Sequence, residues 1–130
     1  MVFLQICKLE IPKKTQSVNT IYIEKNNKTG SNKIIGENTD ILGFKYSLEH
    51  IKYSVTGKKI FILGAGGVTP SIIYALEEME PSVIMLSNRT KEKAKDLVKL
   101  FPKIELVEWG EIKNFDMIIN TTSLGLKQNN

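Results

Sequence analysis

The stretch ILGAGGVTP, residues 62 to 70, decides the fold of this chain. It overlaps the apolar run KIFIL at 59 to 63, which is typical of a buried strand, and it opens a segment with helical spacing of apolar residues. Gly64 permits a tight turn, and Gly66 lets backbone N–H groups approach a pyrophosphate at the helix N-terminus. Thr69 stands where the dinucleotide-binding pattern has its third glycine, so a turn that merely joins a strand to a helix remains an alternative.

Strands and helices alternate after this turn. Apolar runs at 82–86, 104–108 and 115–120 are typical of strands. Two segments between the strands have apolar residues at helical spacing: Ile72, Leu76 and Met79, then Ala94, Leu97, Val98 and Phe101. This alternation predicts βαβ crossovers, and we expect an α/β fold with a partial Rossmann-type parallel sheet.

The residues before the turn follow a different pattern. Short runs at 20–24 and 33–36 predict a hairpin with a long polar loop, and 41–52 has the spacing of a helix. The cluster Asn38, Thr39 and Asp40 suits either the N-terminal cap of that helix or a polyhydroxylated ligand. A boundary between two substructures is expected after this helix.

Charge and composition exclude several classes of protein. The net charge of +4 comes from scattered lysines without a block of five or six like charges, so a nucleic-acid partner is not expected. No run approaches the roughly 20 apolar residues of a membrane span. Cys7 is the single cysteine, which rules out an intramolecular disulfide and favours a cytoplasmic location.

The end of the second strand of this alternating region points to the type of dinucleotide. NAD-binding domains have an acidic residue there for the ribose 2′-hydroxyl, whereas this chain has Asn88 followed by Arg89, its one arginine. A guanidinium can bind a 2′-phosphate, and Lys91 and Lys93 add positive charge. The sequence therefore predicts NADP over NAD. The alternative is that these basic residues are only solvated side chains at the start of a helix. That alternative does not explain why Arg89 lies at the positive end of the helix dipole, where a cation is unfavourable.

Five motifs in order, QSVNT, GENTDILGF, FILGAGG, SNRT and FDMIINTTSLGL, resemble the shikimate dehydrogenase family over about residues 15 to 127. The resemblance implies reduction of 3-dehydroshikimate to shikimate with NADPH. It also implies that 1–55 is a remnant of an α/β substrate-binding domain and 56–130 a partial NADP-binding Rossmann domain. The substrate-binding residues would be Asn19, Thr39 and Asp40, with Asp40 catalytic as the partner of a lysine. The cofactor-binding residues would be Gly64, Ala65, Gly66, Gly67, Val68, Asn88, Arg89, Thr90, Lys93, Thr121, Thr122 and Ser123.

The family's catalytic lysine belongs to a motif Asn-Val-Thr-x-Pro-x-Lys, and IPKK at 11–14 has only its tail. Lys14 lies five residues from Asn19, too close for the intervening helix of the family. We therefore expect Lys13 and Lys14 to be solvated, the chain to be a central segment truncated at both ends, and the chain alone to lack turnover.

Two other functions remain open: a non-catalytic NADP-binding module and a quinate dehydrogenase. The VNT and NTD motifs disfavour a third, glutamyl-tRNA reductase. The expected partner is shikimate or 3-dehydroshikimate, bound by a monomer or homodimer without a metal. His50 is expected at the surface and Trp109 in packing, while Cys7 lacks a neighbouring activator.

Overall fold

The computed structural model describes Thr15 and residues 17–26 and 28–126 of the 130-residue chain. The predictions made for Cys7, Lys13 and Lys14 lie outside the described residues. The predicted elements occur in the predicted order, with bounds that differ slightly. These elements are β1 (Thr20–Lys25), β2 (Asn32–Glu37), α1 (Thr39–His50), β3 (Lys59–Leu63), α2 (Thr69–Glu77), β4 (Val83–Ser87), α3 (Lys91–Leu100), β5 (Ile104–Leu106) and β6 (Met117–Asn120).

The described strands form two sheets. β1 and β2 pair antiparallel as a hairpin, and the remaining strands form a parallel sheet in the order β5-β4-β3-β6. In chain order, β3 is the first strand of the parallel sheet, β4 the second and β6 the fourth. The first strand thus lies between the second and the fourth, which is the order of a Rossmann-type half. The predicted α/β fold with a parallel Rossmann-type sheet is confirmed. The crevice between the carboxyl ends of β3 and β6 is where such sheets bind ligands.

Alternation along β3 places its side chains in two clusters. Ile60 and Ile62 are fully buried in the main core, where they meet α2 and α3. Phe61 belongs to a smaller cluster with Met85 and Val107. Successive side chains of a strand point to opposite faces, so the sheet buries apolar residues on both sides.

Helix α1 begins at its cap. Asn38 has an extended backbone, and its Oδ1 accepts a hydrogen bond from the Asp40 N–H at 3.1 Å, which satisfies one of the free donors of the first turn. The helix starts two residues earlier than predicted, at Thr39, because this cap fixes its beginning. Leu48 joins the main core, and His50 is exposed at the last residue, as expected.

Hydrogen bonds of neighbouring residues also set the bounds of the last strands. The predicted strand at 115–120 begins only at Met117, because the Lys59 N–H donates to a side-chain acceptor, Asp116 Oδ2, at 2.8 Å. The backbone pairing of the two strands starts with the bond from the Asp116 N–H to Lys59 O, also at 2.8 Å. The predicted strand at 104–108 ends at Leu106, since a turn closed by the Glu111 N–H and Glu108 O follows it. The helices in the described part of the chain have 12, 9 and 10 residues, and none is long and apolar enough to cross a membrane.

Candidate functional site

Gly64 is required by the turn between β3 and α2. Its φ is +107°, a conformation that side chains other than glycine rarely adopt. A Cβ at this position would lie 2.7 Å from Thr121 Oγ1 and 2.8 Å from Thr122 Cγ2. The turn therefore packs directly against the end of β6, and only glycine fits there.

The next residues of the turn present free backbone donors. Within the described part of the chain, the N–H groups of Gly66, Gly67 and Val68 have no hydrogen-bond acceptor, and all three residues are exposed. A Cβ at Gly66 would meet only Thr121 O, at 3.6 Å, so the backbone is open to a ligand. These donors lie at the N-terminus of α2, where the helix dipole favours a negative charge. The turn can hold a pyrophosphate.

Thr69 explains why the dinucleotide-binding pattern lacks its third glycine. The side chain is fully buried, with Oγ1 3.2 Å from Gly64 O and 2.9 Å from Thr121 Oγ1. Thr121 Oγ1 lies within hydrogen-bond distance of Leu63 O and Gly64 O as well. The two hydroxyl groups tie α2 to β6 beneath the turn, a role that the sequence did not reveal because the two threonines are far apart in the chain.

A cleft of about 330 Å³ brings most of the predicted cofactor residues together. Of the predicted set, Gly67 and Val68 do not line it, although their N–H groups belong to the adjoining turn. The residues lining the cleft are Gly64, Ala65, Gly66, Asn88, Arg89, Thr90, Lys93, Trp109, Thr121, Thr122, Ser123 and Leu124.

Asn88 connects the two loops at this cleft. Its Oδ1 accepts the Ala65 N–H at 3.0 Å, and its Nδ2 donates to Thr90 O at 2.7 Å. This amide holds the glycine turn against the start of α3, a contact that needs both a donor and an acceptor. An acidic side chain in its place, as in NAD-binding domains, would lack the donor.

Positive charge is available on one side of the cleft. Arg89 and Lys93 are exposed and, among the described residues, make no ion pair with a carboxylate. Lys91 is instead paired with Glu108, with Nζ 2.5 Å from Oε1, and does not line the cleft. The structure thus brings Arg89 and Lys93 to the cleft and directs Lys91 elsewhere.

The ion pair between Lys91 and Glu108 affects both of its members. Its hydrogen bond lowers the pKa of the Glu108 carboxyl, and the attraction of the nearby ammonium adds to this effect. The same hydrogen bond raises the pKa of Lys91. Both groups are solvent-exposed, so the pair is a surface contact that anchors the residue before Trp109.

Trp109 and Leu124 line the cleft although neither was predicted as a binding residue. Trp109 was assigned to packing, yet 45% of its surface is exposed. It follows β5 closely, and the carboxyl ends of parallel strands meet at one edge of a sheet. That topology was a signal in the sequence that could have placed this indole at the cleft.

The predicted substrate-binding residues form a separate cluster. Asn19 Oδ1 accepts hydrogen bonds from the Thr39 N–H and Thr39 Oγ1, both at 3.0 Å, and from Thr20 Oγ1 at 3.1 Å. Among the described residues, Asn19 Nδ2 and the exposed carboxylate of Asp40 have no hydrogen-bond partner. As far as the described residues show, the starts of β1 and α1 thus bring together an amide donor and a carboxylate that are both available to a ligand.

This cluster does not line the cleft at the glycine turn. Thr39 instead lines a groove of about 580 Å³ between α1 and α2, where Leu42, Tyr46 and Tyr74 supply apolar surface. Among the residues that the structure describes, no group of three or more His, Cys, Asp or Glu side chains is placed to hold a metal ion.

Comparisons with known proteins agree on one family. The family described as shikimate / quinate 5-dehydrogenase matches residues 47–125. A shikimate dehydrogenase (NADP(+)) of Pelagibacter ubique strain HTCC1062 is 57% identical over 114 residues, which are 88% of this chain and 41% of that protein. The chain therefore spans about two fifths of the length of this relative.

Solved structures give the same result. The crystal structure of shikimate dehydrogenase from Aquifex aeolicus has a TM-score of 0.74 and 40% identity, over 90% of this chain and 42% of that one. The Thermus thermophilus shikimate 5-dehydrogenase, solved in complex with NADP(H) and shikimate, has a TM-score of 0.72 and 26% identity, over 87% and 40%. The glycine turn, the basic start of α3 and this similarity lead to one conclusion: the chain belongs to the shikimate / quinate 5-dehydrogenase family.

Proposed function

We propose that this chain is the NADP-binding part, with a portion of the substrate side, of a shikimate dehydrogenase that reduces 3-dehydroshikimate to shikimate. In this proposal 1–55 derives from the substrate-binding domain and 56–130 from the NADP-binding domain. The observation that carries it is the cleft, which Gly66, Arg89 and Lys93 line together. It adjoins the N–H groups of Gly66, Gly67 and Val68, which have no acceptor among the described residues. Relatives 57% and 44% identical to this chain are named for shikimate and NADP(+).

The residues at the cleft fit NADP. The N–H groups of Gly66, Gly67 and Val68 would hold the pyrophosphate, and Arg89 with Lys93 would hold the 2′-phosphate. Thr121, Thr122 and Ser123 would flank the rest of the dinucleotide at the carboxyl end of β6. Among the residues that the structure describes, no carboxylate lines the cleft to repel the additional phosphate or to bind a bare ribose hydroxyl.

The cluster at Asn19 and Asp40 fits a polyhydroxylated substrate. Within the described residues, neither the donor Asn19 Nδ2 nor the acceptor carboxylate of Asp40 has a hydrogen-bond partner, so together they can bind neighbouring hydroxyl groups. NADPH supplies the hydride when it is bound, and Asp40 would orient the substrate and a lysine that protonates the carbonyl oxygen. The resemblance does not assign that lysine to Lys13 or Lys14. Because a general acid contributes about 10²- to 10⁴-fold to a rate, the 130-residue chain assayed alone should show no measurable turnover.

Binding is tested with Trp109, the only tryptophan of the chain, which lines the cleft. Titration with NADP should change its emission to saturation, and NAD at the same concentrations should give a much weaker response. Arg89→Gln should remove most of the difference between the two nucleotides. An equal response to NADP and NAD in the unsubstituted chain would contradict the proposed specificity, and no response to either would contradict the cofactor site.

Catalysis is tested by shikimate-dependent formation of NADPH, with quinate in a parallel reaction and far-ultraviolet circular dichroism as evidence of folding. We expect no turnover with either substrate. In a hydrogen-exchange experiment, addition of shikimate should slow the exchange of the Thr39 and Asp40 amides. Turnover with shikimate would contradict the proposed inactivity and make Lys13 and Lys14 the first substitutions to study. Preferential binding of quinate would favour the quinate dehydrogenase alternative. NADP binding without an effect of either substrate would favour a non-catalytic module.

A further inference from the structure

Asn38 lies where three segments of the chain meet. Its Nδ2 donates to Ser71 Oγ at 2.8 Å and to Ser17 O at 3.2 Å, while its Oδ1 accepts the Asp40 N–H at 3.1 Å. Asn38 is partly buried and Ser71 is only 1% exposed. A cap needs only the acceptor, so the two donated hydrogen bonds are additional to capping.

The three segments carry different parts of the candidate site. Ser17 closely precedes Asn19, and Asp40 follows Asn38 at the start of α1. Ser71 belongs to the first turn of α2, directly after the glycine turn, and does not line the cleft. The bond from Asn38 to Ser71 therefore joins the cluster of Asn19 and Asp40 to the helix whose N-terminus faces the proposed pyrophosphate.

We propose that Asn38 is a positioning residue that fixes the substrate-side cluster relative to the dinucleotide-binding turn. The inference rests on the proposed function, since it assigns the two groups of residues to substrate and cofactor. Hydride transfer requires the two reactants in a narrow range of distances, and a displacement of about 1 Å can cost about 100-fold in rate. The partly buried hydrogen bond of 2.8 Å from Asn38 to Ser71 joins the segments that carry the two groups, and it is a means of holding that distance.

Nucleotide binding provides a readout other than activity. NADP bound at Gly66 to Val68 restrains the start of α2, and the bond from Ser71 to Asn38 passes this restraint to Thr39 and Asp40. Hydrogen exchange of the Thr39 and Asp40 amides should therefore slow on addition of NADP in the unsubstituted chain. Ser71→Ala removes the acceptor and leaves the cap of α1 intact, so it should abolish this slowing and leave the Kd for NADP within about twofold.

The ligand-free proteins give an independent comparison. In Ser71→Ala the Asp40 amide should exchange about fivefold faster than in the unsubstituted chain, the factor to which about 1 kcal/mol of hydrogen bonding corresponds. Ser82→Ala is the matched control, since it removes a serine hydrogen bond to Lys58 O at 3.0 Å and should leave Asp40 unchanged. Asn38→Ala should reproduce the loss of nucleotide-dependent slowing.

Two results would overturn the inference: NADP binding that leaves Thr39 and Asp40 unaffected in the unsubstituted chain, and full nucleotide-dependent slowing in Ser71→Ala. If NADP does not bind at all, the proposed function fails first. The ligand-free comparison then still decides the positioning role, because unchanged exchange at Asp40 in Ser71→Ala would exclude it.

Discussion

Replacement of Gly64 by alanine should destabilise the fold through two separate effects. At φ +107° the added side chain is strained by its own backbone, a cost of about 1–2 kcal/mol. The Cβ would also lie 2.7 Å from Thr121 Oγ1 and 2.8 Å from Thr122 Cγ2. Relief of such overpacking costs about 1–3 kcal/mol, because the end of β6 must shift. Together these effects predict a loss of about 3 kcal/mol.

Urea unfolding followed by circular dichroism measures this loss. With an m-value of about 1.5 kcal/mol per molar, the midpoint should fall by about 2 M. Gly67→Ala is the matched control within the same turn, since its Cβ meets nothing within 4 Å and its φ is not in the left-handed region. The control should stay within about 1 kcal/mol of the unsubstituted chain. Equal midpoints for the two variants would refute the close approach of the turn to β6.

Three further substitutions test the site. Arg89→Gln should weaken NADP binding about tenfold, near the lower end for a charge-assisted hydrogen bond because Arg89 is exposed, and should leave NAD binding unchanged by calorimetry. Gly66→Ala should weaken binding of both nucleotides about tenfold or more. The urea midpoint should not change, because the added Cβ would meet only Thr121 O at 3.6 Å, and a large loss of stability would contradict this. The pairing with Lys91 holds the pKa of Glu108 below its ordinary value of 4.5, so its contribution to stability is present above that value and lost as the pH falls through the lowered pKa. Above that pH the unsubstituted chain should therefore have a higher urea midpoint than Glu108→Gln, and the difference should disappear below about pH 4. A difference that persists below about pH 4 would refute the pairing.

The sequence predicted the elements because the periods of their apolar residues differ. The run at 59–63 is buried on both faces of the sheet, and the helices follow with apolar residues on one face. The bounds were predicted less well, because side chains distant in sequence or at a cap fix them. The Asn38 side chain caps α1 so that it begins at Thr39, and the Asp116 carboxylate accepts the Lys59 N–H just before β6 begins.

The residues of the candidate site also differ in how well the sequence predicted them. The glycine turn and Arg89 could be predicted from the sequence, because a turn between a strand and a helix has a local pattern. Thr69 and Trp109 could not be assigned their places in this way. Thr69 meets Thr121 only when β6 pairs with β3, and Trp109 reaches the cleft only because β5 ends at the same edge of the sheet. Lys91 was expected to add positive charge for a 2′-phosphate, but it is paired with Glu108, which is distant in the sequence.

The most direct measurement is an NMR titration of the ¹⁵N-labelled chain with NADP. The largest changes in amide chemical shift should occur at the glycine turn, at the start of α3 and at the end of β6, namely at Gly66, Gly67, Val68, Arg89, Thr90 and Thr121. NAD should affect the glycine turn but leave Arg89 nearly unchanged. Shifts confined to the groove between α1 and α2, or no shifts with NADP in the folded chain, would contradict an NADP site at the turn.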